Sequence, residues 1–120
     1  MYSVVIADDF VDQLDWLKAM FEGSGEFELV GAATGGEEAL QLVGANRPDV
    51  VVSDIDMPDM NGVNLTRQVK RQWPNTKVVL VSAHTESVYK RLASRAGAEG
   101  YVLKRDFNLE VLLNLLQGEG

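Results

Sequence analysis

Five short runs of consecutive apolar, mostly β-branched residues punctuate the chain: SVVIA at 3–7, FELVGAA at 27–33, DVVVSD at 49–54, KVVLVSA at 77–83 and GYVL at 100–103. Apolar residues on successive positions, in place of strict alternation, predict strands covered on both faces, as in a parallel sheet. The second run differs, because FELV alternates, and that suits an edge strand with one face partly wet. Between the runs, apolar residues fall at helical spacing: Val11, Leu14, Leu17 and Phe21; Ala39, Leu40 and Val43; Leu65, Val69 and Trp73; Val88, Leu92 and Ala96; Leu109, Leu112, Leu113 and Leu116. Each set forms one stripe on one face of a helix.

Boundary signals agree with this division. Thr34 followed by Glu37 reads as a capping box opening the second helix, and Pro48 and Pro74 follow the second and third helices. Gly97 and Gly100 separate the fourth helix from the fifth strand. The order is (βα)5, and right-handed crossovers then place helices on both faces of one sheet, a three-layer α/β sandwich. With no internal repeat, low-complexity tract or linker, residues 1–120 are expected to form one domain. The last helix, NLEVLLNLLQ, carries Val111 and Leu115 beyond its core stripe. That pattern fits either a helix well covered by its neighbours or a surface for a partner or second copy.

Composition narrows the function. The apolar content of 46% and charged content of 24% describe a chain that folds, not a disordered one. A net charge of −7 disfavours direct contact with nucleic acid or an anionic membrane and favours a cationic partner or a metal. The absence of cysteine removes disulfides and thiolate sites and agrees with a reducing compartment. The N-terminus lacks the pattern of a signal peptide, and no window approaches the length of a membrane span, so a soluble, cytoplasmic protein is expected.

In an open parallel sheet, ligands bind outside the carboxyl ends of the strands. The residues directly after the apolar runs are Asp8 and Asp9, Asp54, Ser82 and Lys104, so all five are expected at one edge. Clustered carboxylates raise one another's pKa or demand a counter-ion. Oxygen ligands, with no cysteine and one histidine in the chain, favour Mg²⁺, Mn²⁺ or Ca²⁺. Magnesium held by one or two carboxylates commonly serves phosphate chemistry, and a carboxylate such as Asp54 can itself become the nucleophile. Lys104, with the metal, would neutralise the phosphoryl oxygens, and the Ser82 hydroxyl would donate to one of them. Each aspartate taken alone also fits a local structural role: Asp9 as cap of a helix starting at Phe10, Asp59 as a solvated loop residue.

The segments ADD at 7–9, SDIDMPDMNG at 53–62, SA at 82–83 and GYVLK at 100–104 resemble, in order and spacing, the receiver domains of bacterial two-component response regulators. The likeness covers essentially the whole chain. It implies a flavodoxin-like fold with strand order 2-1-3-4-5. It also implies that Asp54 accepts a phosphoryl group from a sensor histidine kinase or phosphotransfer protein, without the chain being an enzyme in the ordinary sense. Asp8, Asp9, Asp54 and the backbone carbonyl of Asp56 would hold Mg²⁺ or Mn²⁺, and Ser82 and Lys104 would bind the phosphoryl oxygens. Ser82 and Tyr101 would form the switch, repacking the face made by the fourth helix, fifth strand and fifth helix. Asp56 and His84 would set the lifetime of the phosphorylated state. The apolar positions of the fifth helix leave a homodimer through that helix or the same face open, without fixing the oligomeric state, and control of transcription is the expected output. Family members commonly carry proline after the lysine, with a cis peptide between them; here Arg105 and Asp106 follow Lys104, a variation that resembles the subgroup with LuxR-type helix-turn-helix output domains. A cis bond before a non-proline residue costs about 2.5–4 kcal/mol.

Two other readings compete. Asp54-Ile-Asp56 also matches the paired aspartates of haloacid-dehalogenase-type phosphatases, although those need acidic ligands after a later strand where this chain has Ser82. The third is a receiver-like scaffold that acts through constitutive contacts without phosphorylation.

Overall fold

The computed structural model describes residues 1–118, so the last two positions of the expected 1–120 domain lie outside the described residues. The elements are β1 (Tyr2–Ala7), α1 (Val11–Phe21), β2 (Phe27–Ala33), α2 (Gly36–Asn46), β3 (Val50–Asp54), α3 (Gly62–Gln72), β4 (Lys77–Ser82), α4 (Ser87–Ala96), β5 (Gly100–Leu103), a 3-10 turn (Lys104–Asp106) and α5 (Leu109–Leu116). All strands are parallel, in the order β2-β1-β3-β4-β5. The apolar runs are therefore strands of a doubly wound sheet, and the alternating FELV segment is indeed at an edge.

Successive residues of each strand serve opposite layers. Val5, Ala7, Val51, Val78 and Leu80 pack with α2, α3 and α4, whereas Val4, Ile6, Val50, Val52, Val79 and Val81 pack with α1 and α5. Every residue of β3 is buried. A buried valine contributes about 1.5–3 kcal/mol relative to an exposed one, so this strand anchors both layers.

Several local expectations change. Val11 and Val88, placed by periodicity on the core stripes of α1 and α4, are 60% and 43% exposed. Each stands in the first turn of its helix. The second helix begins one residue later than the capping-box reading requires. Gly35 holds the N-cap position, and the Thr34 amide donates to Glu38 Oε1 at 2.7 Å, so Glu38 and not Glu37 reaches back. Leu115 packs on β5, its Cδ1 lying 2.7 Å from where a Cβ on Gly100 would stand, while Val111 stays half-buried. Peptide bonds are trans throughout the described residues, including Lys104–Arg105. No helix among the described residues is long and apolar enough to cross a membrane.

Candidate functional site

Parallel strands bring their carboxyl ends to one edge. The register aligns Ala7 with Ser53, Asp54 with Val81 and Ser82 with Leu103, so the residues at or just beyond these ends meet there. One carboxylate oxygen each from Asp8, Asp9 and Asp54 lies within 4.8 Å of the others. Lys104 Nζ lies 3.5 Å from Asp54 Oδ1 and 3.7 Å from Asp8 Oδ2. The five strand-end residues expected at one edge are thus together, with Asp8, Asp54 and Ser82 buried and Asp9 exposed.

The electrostatics of the cluster are unbalanced. Burial, then the charge of Asp8, pushes Asp54 up to about 6, and the opposing pull of Lys104 does not restore it. Burial likewise raises Asp8, partly offset by the Phe10 amide, which donates to Asp8 Oδ1 at 2.9 Å. This last bond corrects the expectation for Asp9: α1 has no side-chain cap, and the Phe10 amide is taken by the buried Asp8, leaving the exposed Asp9 carboxylate to the acidic cluster. Crowded carboxylates with one ammonium and no nitrogen or sulfur ligand suit a hard divalent cation such as Mg²⁺ or Mn²⁺.

The loop from β3 to α3 shapes one wall. The Ile55 amide donates to Asp54 Oδ1 at 2.9 Å, and the Gly62 amide donates to the Ile55 carbonyl at 2.8 Å. At Gly62 a Cβ would fall 2.6 Å from the Asp54 carbonyl oxygen, so only glycine allows α3 to start this close to the strand end. Asp56 points its side chain to the surface. Asp59, expected as a solvated loop residue, is exposed but occupied, because its carboxylate accepts the Gly36 and Glu37 amides at the start of α2. The sequence signal for this was the pair Gly35-Gly36, a helix start without a capping side chain of its own.

The loop after β4 forms the opposite wall. His84 donates its amide to Ser82 Oγ at 3.0 Å, and its carbonyl accepts the Tyr101 hydroxyl at 2.6 Å. Its ring Nε2 lies 2.6 Å from Asp56 Oδ2, and the ring stacks on Tyr89 at 4.3 Å with a 15° interplanar angle. No hydrogen bond joins Ser82 to Asp54 among the described residues; the hydroxyl is held by the His84 amide. Burial raises the Tyr101 phenol above its ordinary range. The role of Tyr89 as the platform under His84 was not legible in the sequence, where it reads as one more helix residue. A pocket of about 250 Å³ opens beside these groups between Ser82, Thr85, Leu103 and Arg105. A larger concavity of about 360 Å³ lies between Arg47, Trp73 and Thr76, at the opposite end of the sheet, and gathers no comparable cluster.

Residues 4–117 match the response regulator receiver domain family. The transcriptional regulatory protein DegU of Brevibacillus brevis is 36% identical over 97% of this chain and 50% of its own length. The signal receiver domain of NarL from Mycobacterium tuberculosis has a TM-score of 0.90 at 32% identity, covering 98% of this chain and 97% of that one. A LuxR-family DNA-binding response regulator from Staphylococcus aureus has a TM-score of 0.87 at 26% identity, covering 99% of this chain and 98% of that one. The chain spans about half the length of the curated relatives it matches. None of these likenesses supports a haloacid-dehalogenase-type phosphatase.

Proposed function

The chain belongs to the response regulator receiver domain family, and from this we propose that residues 1–120 act as one cytoplasmic receiver domain whose Asp54 is the phosphoacceptor. The observation that carries the reading is the position of Asp54: buried at the sheet edge, held near Lys104, and crowded by Asp8 and Asp9. Its Oδ atom forms a bond to the phosphorus of a kinase or phosphotransfer protein's phosphohistidine. The phosphorus–nitrogen bond breaks as this bond forms, the electron pair stays on the imidazole nitrogen, and that nitrogen takes up a proton.

Asp8, Asp9, Asp54 and the Asp56 backbone carbonyl would hold Mg²⁺ or Mn²⁺, which when bound supplies positive charge for the phosphoryl oxygens. Lys104 supplies the second positive charge, and the Ser82 hydroxyl turns from the His84 amide to a phosphoryl oxygen. Release of that amide, together with Tyr101, biases the packing of the α4, β5 and α5 face. That face, or α5, would then meet a second copy or an output region. The transcriptional role of relatives such as DegU, together with the LuxR-family likeness, supports transcription as the output.

The test is chemical labelling. Incubation with acetyl phosphate and Mg²⁺ is expected to add one phosphoryl group by intact mass, and Asp54→Ala is expected to abolish the addition. Labelling that persists in Asp54→Ala, or absence of labelling in the unaltered chain, would overturn the reading.

A further inference from the structure

The β3–α3 loop, residues 55–61, carries Asp56 and is only half secured by the sheet. Its inner part is pinned, since Ile55 and Met57 are buried and the Gly62 amide bonds the Ile55 carbonyl. Asp56, Pro58 and Asp59 are exposed. The outer part is held instead by α2. Asp59 Oδ1 accepts the Gly36 amide and Oδ2 the Glu37 amide, each at 3.0 Å. Met60 lies so close to α2 that a Cβ on Gly36 would meet its Cβ at 2.7 Å.

Those amides belong to the first turn of α2, which needs an acceptor it does not carry, because its N-cap residue is Gly35. An aspartate or serine at 35 would cap the helix locally, and the extended backbone there (φ −166°, ψ 172°) suits any residue. The cap instead comes from Asp59, more than twenty residues along the chain, and a Cβ on Gly35 would fall 2.9 Å from Asp59 Oδ1. If helix stability were the only gain, a local side chain would supply it without ordering a distant loop. The glycine pair leaves room for the loop to dock. The two amides also hold the Asp59 carboxyl below the usual carboxylate range. Along the chain Asp56 lies between Ile55, whose carbonyl accepts the Gly62 amide, and Asp59, which α2 holds, while its exposed side chain meets His84.

We propose that Asp59 is a positioning residue for the acidic site: by tying the β3–α3 loop to the start of α2, it fixes Asp56 so that the backbone carbonyl there completes the cation's oxygen set with Asp8, Asp9 and Asp54. This rests on reading the site as a cation-dependent phosphoacceptor.

The experiment is a Mn²⁺ titration of the chain, following free Mn²⁺ by electron paramagnetic resonance well below the unfolding temperature. Asp59→Ala is expected to weaken binding about tenfold, the low end of what removing an outer support of a metal ligand costs. A second variant, Asp59→Ala combined with Gly35→Asp, restores a cap to α2 without the tether. Its thermal unfolding is expected to return to that of the unaltered chain while Mn²⁺ binding stays about tenfold weak. Unchanged Mn²⁺ affinity in Asp59→Ala, or affinity that recovers with thermal stability in the double variant, would reduce Asp59 to a helix cap and overturn the proposal. If the unaltered chain binds no Mn²⁺, the phosphoacceptor reading itself fails, and the proposal with it.

Discussion

His84 Nε2 and Asp56 Oδ2 lie 2.6 Å apart, joining the loop after β4 to the loop after β3 two residues beyond Ser82 and two beyond Asp54. The imidazole is held on its other side by the ring of Tyr89. Groups in such direct contact do not act independently. His84→Ala and Asp56→Asn are each expected to speed hydrolysis of the Asp54 phosphoryl group, the first by removing the ring that bridges the loops and the second by removing the charge that strengthens its contact with the imidazole. A coupling of about 0.5–1 kcal/mol, a factor of roughly 2 to 5, is expected in the double variant. Measured loss of the acyl phosphate with time in the four proteins decides it, and unchanged rates would remove both residues from any timing role.

The raised pKa of Asp54 makes the acidic cluster a cost at neutral pH. A carboxyl whose folded pKa, about 6, exceeds its unfolded value near 3.8 binds its proton more tightly when folded. Its contribution to stability is present below the unfolded value and is lost as pH rises through about 6. Without divalent cations, Asp54→Asn is therefore expected to be more stable than the unaltered chain by about 1–3 kcal/mol at pH 7.5, with the gap closing toward pH 4. Urea unfolding across this range measures it, and Mg²⁺ is expected to narrow the gap by binding only the unaltered chain tightly.

Lys104 carries the ammonium nearest both Asp8 and Asp54. Lys104→Ala is expected to slow labelling by acetyl phosphate about a hundredfold, the scale of losing one group that stabilises developing charge on a transferred group. Intact mass against time at fixed Mg²⁺ reads this directly. A rate within a factor of about two of the unaltered chain would remove Lys104 from the chemistry.

Two glycines of similar apparent crowding are expected to differ. At Gly62 an added Cβ meets backbone, the Asp54 carbonyl oxygen at 2.6 Å and Ile55 Cα at 2.9 Å, whereas at Gly100 it meets the tip of the Leu115 side chain at 2.7 Å. Backbone at a strand end has little room to move, but a leucine can change rotamer. Gly62→Ala is expected to cost about 2–3 kcal/mol and Gly100→Ala about 1 kcal/mol or less, compared by chemical denaturation.

The sheet was legible because its strands are buried on both faces, so each announces itself as an unbroken apolar run, β3 most clearly of all. The strand-end cluster followed from topology, since parallel strands leave their terminal residues little choice of where to meet. The contact of Asp59 with α2 was not legible. Asp59 was placed in solvent because nothing near it in sequence needs an acceptor, and its partners lie across the molecule in α2. Val11 and Val88 were placed in the core because periodicity counts faces but not the turn at which a helix first meets the sheet. Asp8 and Asp9 are adjacent and identical in type, and only the fold decides which one is buried.

Ser82 and Tyr101 both hold His84, one by its amide and the other by its carbonyl. Neither bond involves the imidazole. Under the proposed reading, a pull on the Ser82 hydroxyl passes to Tyr101 through peptide groups that any residue but proline at position 84 would provide, while the ring, paired with Asp56, acts on how long the state lasts. Transmission and timing, under that reading, belong to different parts of one residue. Under that reading, a change of side chain at position 84 resets the timing and leaves the backbone relay through the amide and carbonyl as it was.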